Sequence, residues 1–597
     1  MNLKLVIKNE NVIWKGKWVY LGESFSTLSK LEKIYKKKNR ISLKKYKSQV
    51  FKDELKFYLK WNTEQGKNYK EKKFWLINEL SGKNNLNTNL YLYLCQLISL
   101  KILVKENNNE NILVICENHL ILNCIQDNLN ITKKNTNAKF LLSKFKFIFK
   151  ILYSLIYNFL KMTIKFLIIK FVLIFFFRTK NLFDKKTYLI HTAGLDINED
   201  NSIKLNFFPN LNNYINKKFY YIFISQLSFF KKIKNISKFK KNNIIIIEEY
   251  ISTLEFFISV KNFLKSTFNI LNLQNFKDLK IKHLLQFEFY RALSSPSLNN
   301  QFWSYFYLIK KIDKKVDEII IIDHYENMIS DQAMICACRE PNLKSKIKII
   351  GYNHSLAGNE FLGYYSTKED WNSIYKPDLI IANGKISKQH LIDRGNLSNK
   401  ILEGPALRFD KIIKKNLIKT KKIPDKRNVF IPLSQIRDHG SEMIEKIIQL
   451  QSLLDDNYFN FYILPHPNSP IDKKLLEEIN KKKYPNIYIS QLNISDLMDK
   501  CSLCISMSTG AVYDAIINGN IVINIGSELN YCDNHLDFCV EKFDFLSTKN
   551  LKEVYFLLKS LQSDKNYEEY ISKFNQVQKY LIDGMNVVDT DNIKHFQ

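Results

Sequence analysis

The feature that most constrains the fold of this chain is a recurrence of short apolar runs, most of them separated by stretches with helical patterns. Runs that are apolar at every position are typical of strands buried on both faces of a parallel sheet. A first series of strands is predicted at residues 112–116, 188–191, 220–225, 244–247, 319–323, 347–351 and 379–382. A second series is predicted at residues 429–433, 459–464, 487–489, 503–506, 521–525 and 537–540.

Two consecutive series of this kind predict an α/β protein with two doubly wound, Rossmann-type domains that face each other across a cleft. The length of 597 residues agrees, because single cores stop growing at about 250–300 residues. Ligands of such sheets bind at the carboxyl ends of the strands. The expected division is a first domain at 1–139 and 184–405, an insertion at 140–183, a linker at 406–427, a second domain at 428–560, and C-terminal helices at 561–597.

The insertion differs from both series because residues 140–178 are heavily apolar and almost free of acids. On a helical wheel one narrow face is polar and the opposite face carries Phe, Leu, Ile and Tyr, which is typical of an amphipathic helix at a lipid surface. The polar face comprises Lys146, Lys150, Ser154, Asn158, Lys161 and Lys165. The run 166–177 is shorter than the roughly 20 residues that a spanning helix needs. A helical hairpin, a membrane span and a buried core helix remain as alternatives.

The net charge of +31 comes almost entirely from lysines spread over the whole chain. No nucleic-acid-reading motif accompanies them, so we expect no nucleic-acid partner but retain attraction to an anionic membrane. The nine cysteines are irregularly spaced, and the Cys501/Cys504 pair has no second pair to complete a metal site. The N-terminus lacks the apolar core of a signal peptide. We expect a cytoplasmic protein bound peripherally to the inner face of the cytoplasmic membrane.

The strongest local motif is Pro465-His466-Pro467, which follows a predicted buried strand. The two prolines restrict the backbone around the imidazole. Ser469 and the proline after it resemble an N-cap and a first helical residue, so a helix N-terminus is predicted beside His466. Both groups can meet a phosphate. The alternative is a loop histidine with a structural role.

A second motif, at residues 499–519, is predicted to run strand, small-residue turn, helix. Ser506, Ser508, Thr509 and Gly510 bring hydroxyls and backbone N–H groups to the start of a helix that ends at Gly519, which is typical of an anion-binding turn. The spacing and lysine of a P-loop are missing. An ordinary helix cap is the alternative, but two candidate anion sites in one predicted domain favour a nucleotide site.

These two motifs together resemble the nucleotide-binding half of GT-B glycosyltransferases, especially bacterial enzymes that use CMP-activated acidic sugars such as sialic acid and Kdo. The middle of the chain resembles bacterial surface-carbohydrate biosynthesis proteins. The matching stretches are 323–327, 350–355, 376–378 with Gly384, and 404–408, and the whole resemblance covers roughly residues 185–530. The family has a Trp-Glu pair after the first stretch, where this chain has Ser330-Asp331-Gln332.

The resemblance implies that His466, Pro467 and the serine-rich turn hold the phosphate of a nucleotide-sugar donor. Glycosyl transfer also needs a base for the acceptor hydroxyl. Glu326 follows a predicted buried strand and is the first candidate, with Asp323 and Asp331 nearby; a structural role for Glu326 is the alternative. His354 is a further candidate for substrate binding or positioning.

Gln435, Arg437 and His439 follow the first strand of the second predicted domain, and Arg437 is suited to bidentate contact with phosphate or carboxylate. We expect no metal and no cofactor beyond the nucleotide-sugar substrate. The predicted function is glycosyl transfer to a lipid-linked polysaccharide or lipopolysaccharide acceptor. Transfer of another nucleotide-activated group such as a polyol phosphate, sugar-nucleotide epimerisation, and a non-catalytic scaffold are the alternatives.

Overall fold

The computed structural model contains three parallel sheets and one short antiparallel hairpin in the part of the chain that it describes. The described residues are 3–597 apart from 9–11, 68, 70, 84–86, 108–109, 132–137, 178–182, 198–201, 225–228, 295, 419–423, 455–457, 468, 470, 472–474, 478, 480–483, 485 and 530–533.

The N-terminal residues form a small α/β module. Its parallel sheet has the order β1-β3-β2, with β1 at Leu3–Ile7, β2 at Lys17–Leu21 and β3 at Ile112–Cys116. Its helices are α1 (Phe25–Tyr35), α2 (Lys44–Lys67), α3 (Lys73–Leu76), α4 (Leu90–Glu106) and α5 (His119–Leu129). We expected this region to be part of the first large domain. Both edges of β3 are already paired within the module, so β3 has no free edge with which to join the larger sheet.

The long helix α6 (Ala138–Phe176) follows the module and contains 39 residues. One face packs on the protein through the buried side chains of Ile151, Phe166, Ile169 and Leu173. The opposite face is exposed. Among the described residues, no helix combines the length and apolarity needed to cross a bilayer.

The largest sheet has seven parallel strands. They are β4 (Lys186–Thr192), β7 (Phe219–Phe223), β8 (Ile244–Ile245), β9 (Glu318–Asp323), β10 (Lys346–Asn353), β11 (Leu379–Ala382) and β12 (Ile401–Glu403), while β5 (Leu195–Ile197) and β6 (Ile203–Leu205) form the hairpin. The order is β12-β11-β10-β9-β4-β7-β8. The chain therefore winds outward from β4 in one direction and from β9 in the other, as in a doubly wound sheet.

Helices connect and cover these strands. They are α7 (Leu211–Tyr214), α8 (Phe229–Lys234), α9 (Ile236–Lys241), α10 (Ile247–Tyr250), α11 (Thr253–Phe268), α12 (Lys282–Ser294), α13 (Pro296–Asp313), α14 (Ile329–Cys338), α15 (Lys368–Trp371) and α16 (Lys385–Asp393). In β9 the side chains of residues 319–322 are fully buried, which explains why the strand is apolar at these four positions.

The C-terminal domain has five parallel strands in the order β15-β14-β13-β16-β17. They are β13 (Asp425–Pro432), β14 (Asn460–Leu464), β15 (Ile487–Ile489), β16 (Cys501–Ser506) and β17 (Ile521–Asn524). The helices of this domain include α17 (Asp410–Ile418), α18 (Arg437–Leu454), α19 (Ile494–Lys500), α20 (Ala511–Asn518), α21 (Leu551–Leu561) and α22 (Asp564–Asp583). The winding reverses between β13 and β16, so the predicted class of two doubly wound domains is confirmed.

Two local predictions are corrected in this half of the chain. Residues 537–540 were expected to form a strand, but Asp537–Cys539 form a short 3₁₀ helix because the backbone turns back on itself there. Part of the expected linker is the helix α17, which buries Ile413 in the C-terminal core. After α22, the C-terminal tail returns to the larger domain, where Phe596 is fully buried against Tyr352.

Candidate active site

The largest sheet reverses its winding between β4 and β9, and side chains from the carboxyl ends of these strands meet there. His191 Nδ1 lies 2.7 Å from Asp323 Oδ1, and His191 Nε2 lies 3.1 Å from the hydroxyl oxygen of Tyr305. All three side chains are buried. Because ligands of doubly wound sheets bind at this reversal, the cluster marks a candidate site in the larger domain.

His324 and Glu326 lie in the loop after β9. Burial opposes a charge on His324, but the carboxylates of Asp323, Asp331 and Glu326 outweigh it and raise the pKa of His324 to about 9. Burial raises the pKa of Glu326 to about 7; the charge of His324 opposes this rise, and those of Asp331 and Asp323 add to it. A carboxyl group with this pKa is partly ionised at neutral pH and can take up a proton from a substrate hydroxyl.

Asp323 has a different role from Glu326. Burial would raise its pKa, but the charges and hydrogen bonds of His191 and His324 outweigh burial and lower it. Asp323 is 1% exposed, whereas the side chain of Glu326 is 22% exposed. Asp323 is therefore placed to hold two histidines, and Glu326 is the carboxylate that reaches the cleft.

His354 comes from the carboxyl end of the neighbouring strand β10. Its Nε2 atom lies 3.5 Å from Glu326 Oε1. Burial, together with the charges of His324 and Arg408, lowers the pKa of His354 well below its usual value, so its imidazole is neutral at pH 7. The ring packs on Phe207 with centroids 4.1 Å apart. The structure thus brings the three predicted catalytic residues, Glu326, Asp323 and His354, into one cluster.

The turn between β16 and α20 belongs to the C-terminal domain and lies opposite the Glu326 cluster. Ser508 has a φ of +52°, in the left-handed region that non-glycine residues seldom adopt. The Thr509 hydroxyl accepts a hydrogen bond from the Ala511 N–H at 3.4 Å, and Gly510 precedes the first residue of α20. Gly519 ends α20 in a left-handed conformation, as predicted. Ser508, Thr509 and Gly510 are partly exposed at the helix N-terminus.

Ser506 differs from its neighbours in the turn. Its side chain is 1% exposed, and its hydroxyl donates to Asn524 Oδ1 at 2.9 Å. This hydrogen bond joins the ends of β16 and β17. Ser506 is therefore placed to support the turn from within the domain, not to contact a ligand at its surface.

The two large domains approach each other at this turn. A Cβ atom placed on Gly510 would lie 3.8 Å from Ser355 Oγ and 3.9 Å from Arg408 Nη1. Arg408 forms an ion pair with Asp514 of α20. Since Ser355 directly follows His354, the Ser508–Gly510 turn and the Glu326 cluster face the same cleft.

The other predicted donor residues lie at the same edge of the C-terminal sheet. Gln435 and Arg437 are exposed just after β13, at the reversal of winding between β13 and β16. His466 and Pro467 follow β14, on the other side of β13 from the Ser508–Gly510 turn. Burial lowers the pKa of His466. The two predicted phosphate motifs thus share one edge but are separated by the end of β13.

The predicted helix start at Ser469 is corrected. The Ser469 N–H donates to the His466 carbonyl oxygen at 3.0 Å, and Ile471 lies outside any helix. The chain therefore closes a tight turn after His466, so no helix N-terminus stands at Ser469. The proline at position 470 and the aspartate at 472, which belonged to this prediction, lie outside the described residues.

Sequence reasoning missed His191 and Tyr305. His191 ends the predicted strand 188–191, so the rule that ligands bind at strand ends would have found it. Tyr305 lies within α13 and has no comparable local signal. His324 was inside a recognised motif, but its partners became visible only in the fold.

Four side chains of the cluster are also close enough to be considered as metal ligands. The ligand atoms of His191, Asp323, His324 and Asp331 all lie within 4.8 Å of one another. Asp331 Oδ2 already accepts hydrogen bonds from the N–H groups of Glu326 at 2.9 Å and Met328 at 3.0 Å. The expectation that the protein needs no metal stays a prediction.

No protein-family model matches the chain, and no curated protein matches it. Among solved structures, the chain is similar to the Neisseria meningitidis UDP-GlcNAc 2-epimerase bound to UDP-GlcNAc, with a TM-score of 0.38, 13% identity, and coverage of 67% of this chain and 99% of that one. It is also similar to Anabaena Alr3699/HepE in complex with UDP and glucose, with a TM-score of 0.36, 11% identity, and coverage of 69% and 98%. The S. aureus MnaA–UDP co-structure gives a TM-score of 0.35, 14% identity, and coverage of 69% and 94%. The fold assignment rests on the strand order of this chain itself.

Proposed function

We propose that this protein is a metal-independent GT-B glycosyltransferase that moves a sugar from a nucleotide-activated donor, CMP-linked, to a lipid-linked surface-polysaccharide or lipopolysaccharide acceptor. The observation that carries the proposal is the approach of two strand-end clusters across one cleft. The Ser508–Gly510 turn lies against Ser355 and Arg408, next to the Glu326–His354 pair.

The chemistry follows from these positions. The acceptor hydroxyl loses its proton to the carboxylate of Glu326 while its oxygen bonds to the anomeric carbon of the donor sugar. The bond from that carbon to the donor phosphate oxygen breaks, and its electron pair leaves with the nucleotide. Ser508, Thr509 and the N–H groups at the start of α20 stabilise the phosphate, and Arg437 and His466 lie at the same edge.

The membrane part of the proposal rests on the exposed face of α6. Its large apolar side chains remain accessible between residues 145 and 176, the part of the helix whose side chains are described. Those that are 45% to 71% exposed are Phe145, Phe149, Tyr153, Ile156, Tyr157, Leu160, Ile164, Leu167, Phe171, Ile174, Phe175 and Phe176. Monomeric proteins rarely expose so long an apolar surface without a partner. Lys146, Lys150 and Lys161 are also exposed, which suits anionic headgroups.

The contacts of α6 also show which side faces the protein. Asn158 Nδ2 donates to the Ser294 carbonyl oxygen at 2.8 Å, and Ser154 lies beside it. Part of the polar face predicted from the wheel therefore packs on the protein beside the buried apolar residues of α6, and the exposed apolar side chains point outward. This orientation favours a lipid-linked acceptor over the soluble substrates of a sugar-nucleotide epimerase.

Nucleotide binding tests the proposal. We expect CMP to raise the melting temperature of the purified full chain, and to do so more than UDP or GDP at equal concentration. We expect His466→Ala to reduce the shift. Parent protein that gives no shift with any of the three nucleotides would overturn the proposal in favour of a non-catalytic scaffold. A shift with UDP alone would support the proposed transferase activity but with a UDP-linked donor in place of a CMP-linked one.

Transfer itself separates the remaining alternatives. The full chain is incubated with a lipid extract and with CMP-, UDP- and GDP-sugars whose sugar is labelled. We expect the label to appear in the lipid fraction. Release of an epimerised nucleotide sugar would identify an epimerase. Transfer of label from a nucleotide-activated polyol phosphate, but from no nucleotide sugar, would identify the other transferase.

A further inference from the structure

A small polar cavity lies between the N-terminal module and the domain of the largest sheet. Its volume is about 30 Å³, counted as the space open to the centres of water-sized atoms. One water molecule needs roughly 10–15 Å³ on this measure, so a group of a few heavy atoms fits. The charged residues that line the cavity are Lys72 and Lys83 from the module, and Asp370 and Lys376 from the larger domain.

These four groups give the cavity an excess of positive charge. Lys83 Nζ lies 3.4 Å from Asp370 Oδ2, so these two groups form an ion pair. Among the described residues, no carboxylate lies within ion-pair distance of the ammonium group of Lys72 or of Lys376. Like charges that share a site with little water repel one another strongly, and an anion between them relieves that repulsion.

Lys376 is the most unusual of the three lysines because it is only 7% exposed. Its Nζ atom donates to three neutral oxygens, those of the Ser366 hydroxyl at 3.0 Å, the Tyr325 hydroxyl at 3.2 Å and the Asn327 amide at 3.4 Å. Lysine is almost never buried without a charged partner. Burial lowers the pKa of Lys376 to about 8, so the group is still mostly protonated at pH 7. An anion in the cavity would supply the missing counter-charge.

The cavity lies beside the loop that carries the predicted base. Tyr325 and Asn327 flank Glu326 in the sequence, and Lys376 contacts both of them. Asn327 itself lines the cavity. Lys72 and Lys83 reach the same cavity from the N-terminal module. An anion held by all three lysines would therefore join the module to the loop of Glu326.

We propose that Lys72, Lys83 and Lys376 bind a free tetrahedral oxyanion, phosphate or sulfate, between the N-terminal module and the larger domain. Ammonium groups donate strong, charge-assisted hydrogen bonds to such oxygens. The same three charges would repel a metal ion. The small volume favours a free ion over the phosphate group of a nucleotide or a lipid. The site shares no residue with the Ser508–Gly510 turn and goes beyond the proposed function, because it binds neither donor nor acceptor.

Isothermal titration of the full chain with sodium phosphate tests the site, with saturating CMP present to occupy the proposed donor site. We expect saturable binding by the parent, and binding about ten-fold or more weaker in Lys72→Gln and Lys83→Gln, because each removes a hydrogen bond from a charged group. The matched control is Lys101→Gln. Lys101 Nζ also lies 3.4 Å from a carboxylate oxygen, that of Asp278, but does not line the cavity. The control should bind phosphate as the parent does.

Asp370→Asn should change the affinity in the opposite direction. It removes the negative charge from the cavity and keeps the shape of the side chain, so we expect phosphate to bind at least several-fold more tightly. It also breaks the ion pair with Lys83, so a site that depended only on the fit between the two parts of the protein would be weakened. Weaker binding by Asp370→Asn, or binding by Lys72→Gln and Lys83→Gln equal to that of the control, overturns the site.

The choice of anion separates the remaining outcomes. Sodium chloride at equal ionic strength should give no binding heat, and glycerol phosphate should bind more weakly than phosphate. A parent that gives no heat with phosphate or sulfate has only water in the cavity, which overturns the site. Glycerol phosphate that binds as tightly as phosphate overturns the assignment to a free ion. A protein that binds CMP but not phosphate overturns this site alone, whereas one that binds phosphate through these lysines but no nucleotide supports the site and contradicts the proposed function.

Discussion

At the scale of single residues, neighbouring charges give the carboxyl groups of the candidate site different pKa values. Asp323 is held ionised by His191 and His324, and Glu326 has a pKa near neutrality. Groups whose environments separate their pKa values in this way commonly have different roles in catalysis. Glu326 is the group suited to gain and lose a proton at pH 7.

Replacing Glu326 tests that role. We expect Glu326→Gln to lower the transfer rate by about 10²–10⁴-fold, because a general base contributes on that scale. The nucleotide melting shift should not change, since Glu326 lies across the cleft from the proposed phosphate site. In the parent, kcat/KM should rise with pH through about 7 as the carboxyl ionises. A Glu326→Gln variant with near-parental transfer would exclude Glu326 as the base.

The charge of His324 gives a second prediction, on stability. Its folded pKa of about 9 lies above the usual 6.5, so protonation stabilises the fold fully below pH 6.5, and this contribution disappears as pH rises through 9. We expect the melting temperature of the parent to fall over that range. The fall should be smaller in His324→Gln, measured by calorimetry. Parallel pH profiles for parent and variant would contradict a charged His324.

At the scale of elements, the Ser508–Gly510 turn contains a strained backbone conformation at Ser508 and is the proposed binding site for the donor phosphate. A left-handed conformation costs a non-glycine residue roughly 1–2 kcal/mol, and glycine adopts it freely. We expect Ser508→Gly to keep or slightly raise the melting temperature but to weaken nucleotide binding about five-fold, through loss of one hydrogen bond.

Ser506→Ala is the matched control for the turn. Its hydroxyl is bonded to Asn524 within the domain, so we expect the loss of that bond to lower the melting temperature while nucleotide affinity stays close to that of the parent. Isothermal titration with CMP measures both variants. The reverse pattern, with Ser506→Ala losing affinity and Ser508→Gly retaining it, would show that the turn is oriented differently.

The exposed face of α6 is the element that connects the protein to its proposed acceptor. We expect the full chain to co-sediment with phosphatidylglycerol vesicles, and the triple substitution Phe149→Gln, Ile164→Gln, Phe171→Gln to abolish this, because each removes exposed apolar area and none is buried. A control with equally exposed apolar residues elsewhere is Ile34→Gln, Ile374→Gln, Phe556→Gln. Equal binding by both triple variants would exclude α6 as the membrane contact.

At the scale of the whole molecule, the C-terminal tail ties the two large domains together. Asn586 donates its N–H to the Asn383 carbonyl oxygen and accepts from the Ala406 N–H, and Phe596 fills a space beside Tyr352. We expect Phe596→Ala to cost about 3 kcal/mol of stability and to lower the melting temperature of the larger domain. The exposed Lys594→Ala should have little effect, because exposed ion pairs contribute little. Equal melting curves for the two variants would show that the tail is not part of the core.

Much of the fold was predictable because a strand that is buried on both faces needs apolar residues along its length, and this pattern is visible in the sequence. The strands at 112–116, 379–382 and 487–489 were predicted to the residue, since each is bounded by polar or turn-forming residues. The site was predictable where it consists of strand ends, as for Glu326 and the Ser508–Gly510 turn. The helix start at Ser469 was wrong because a serine followed by proline also suits a tight turn, although residues 475–477 are helical.

The sequence by itself determined that this protein is an α/β chain with strands buried on both faces and polar residues at their ends. Those properties depend on neighbours within a few positions. Only the tertiary structure decided that β3 is enclosed by β1 and β2, that His191 lies against Asp323 across 132 residues, and which apolar side chains of α6 are buried and which are exposed. Strand order, long-range pairing and helix orientation arise from packing between distant segments, which no local pattern records.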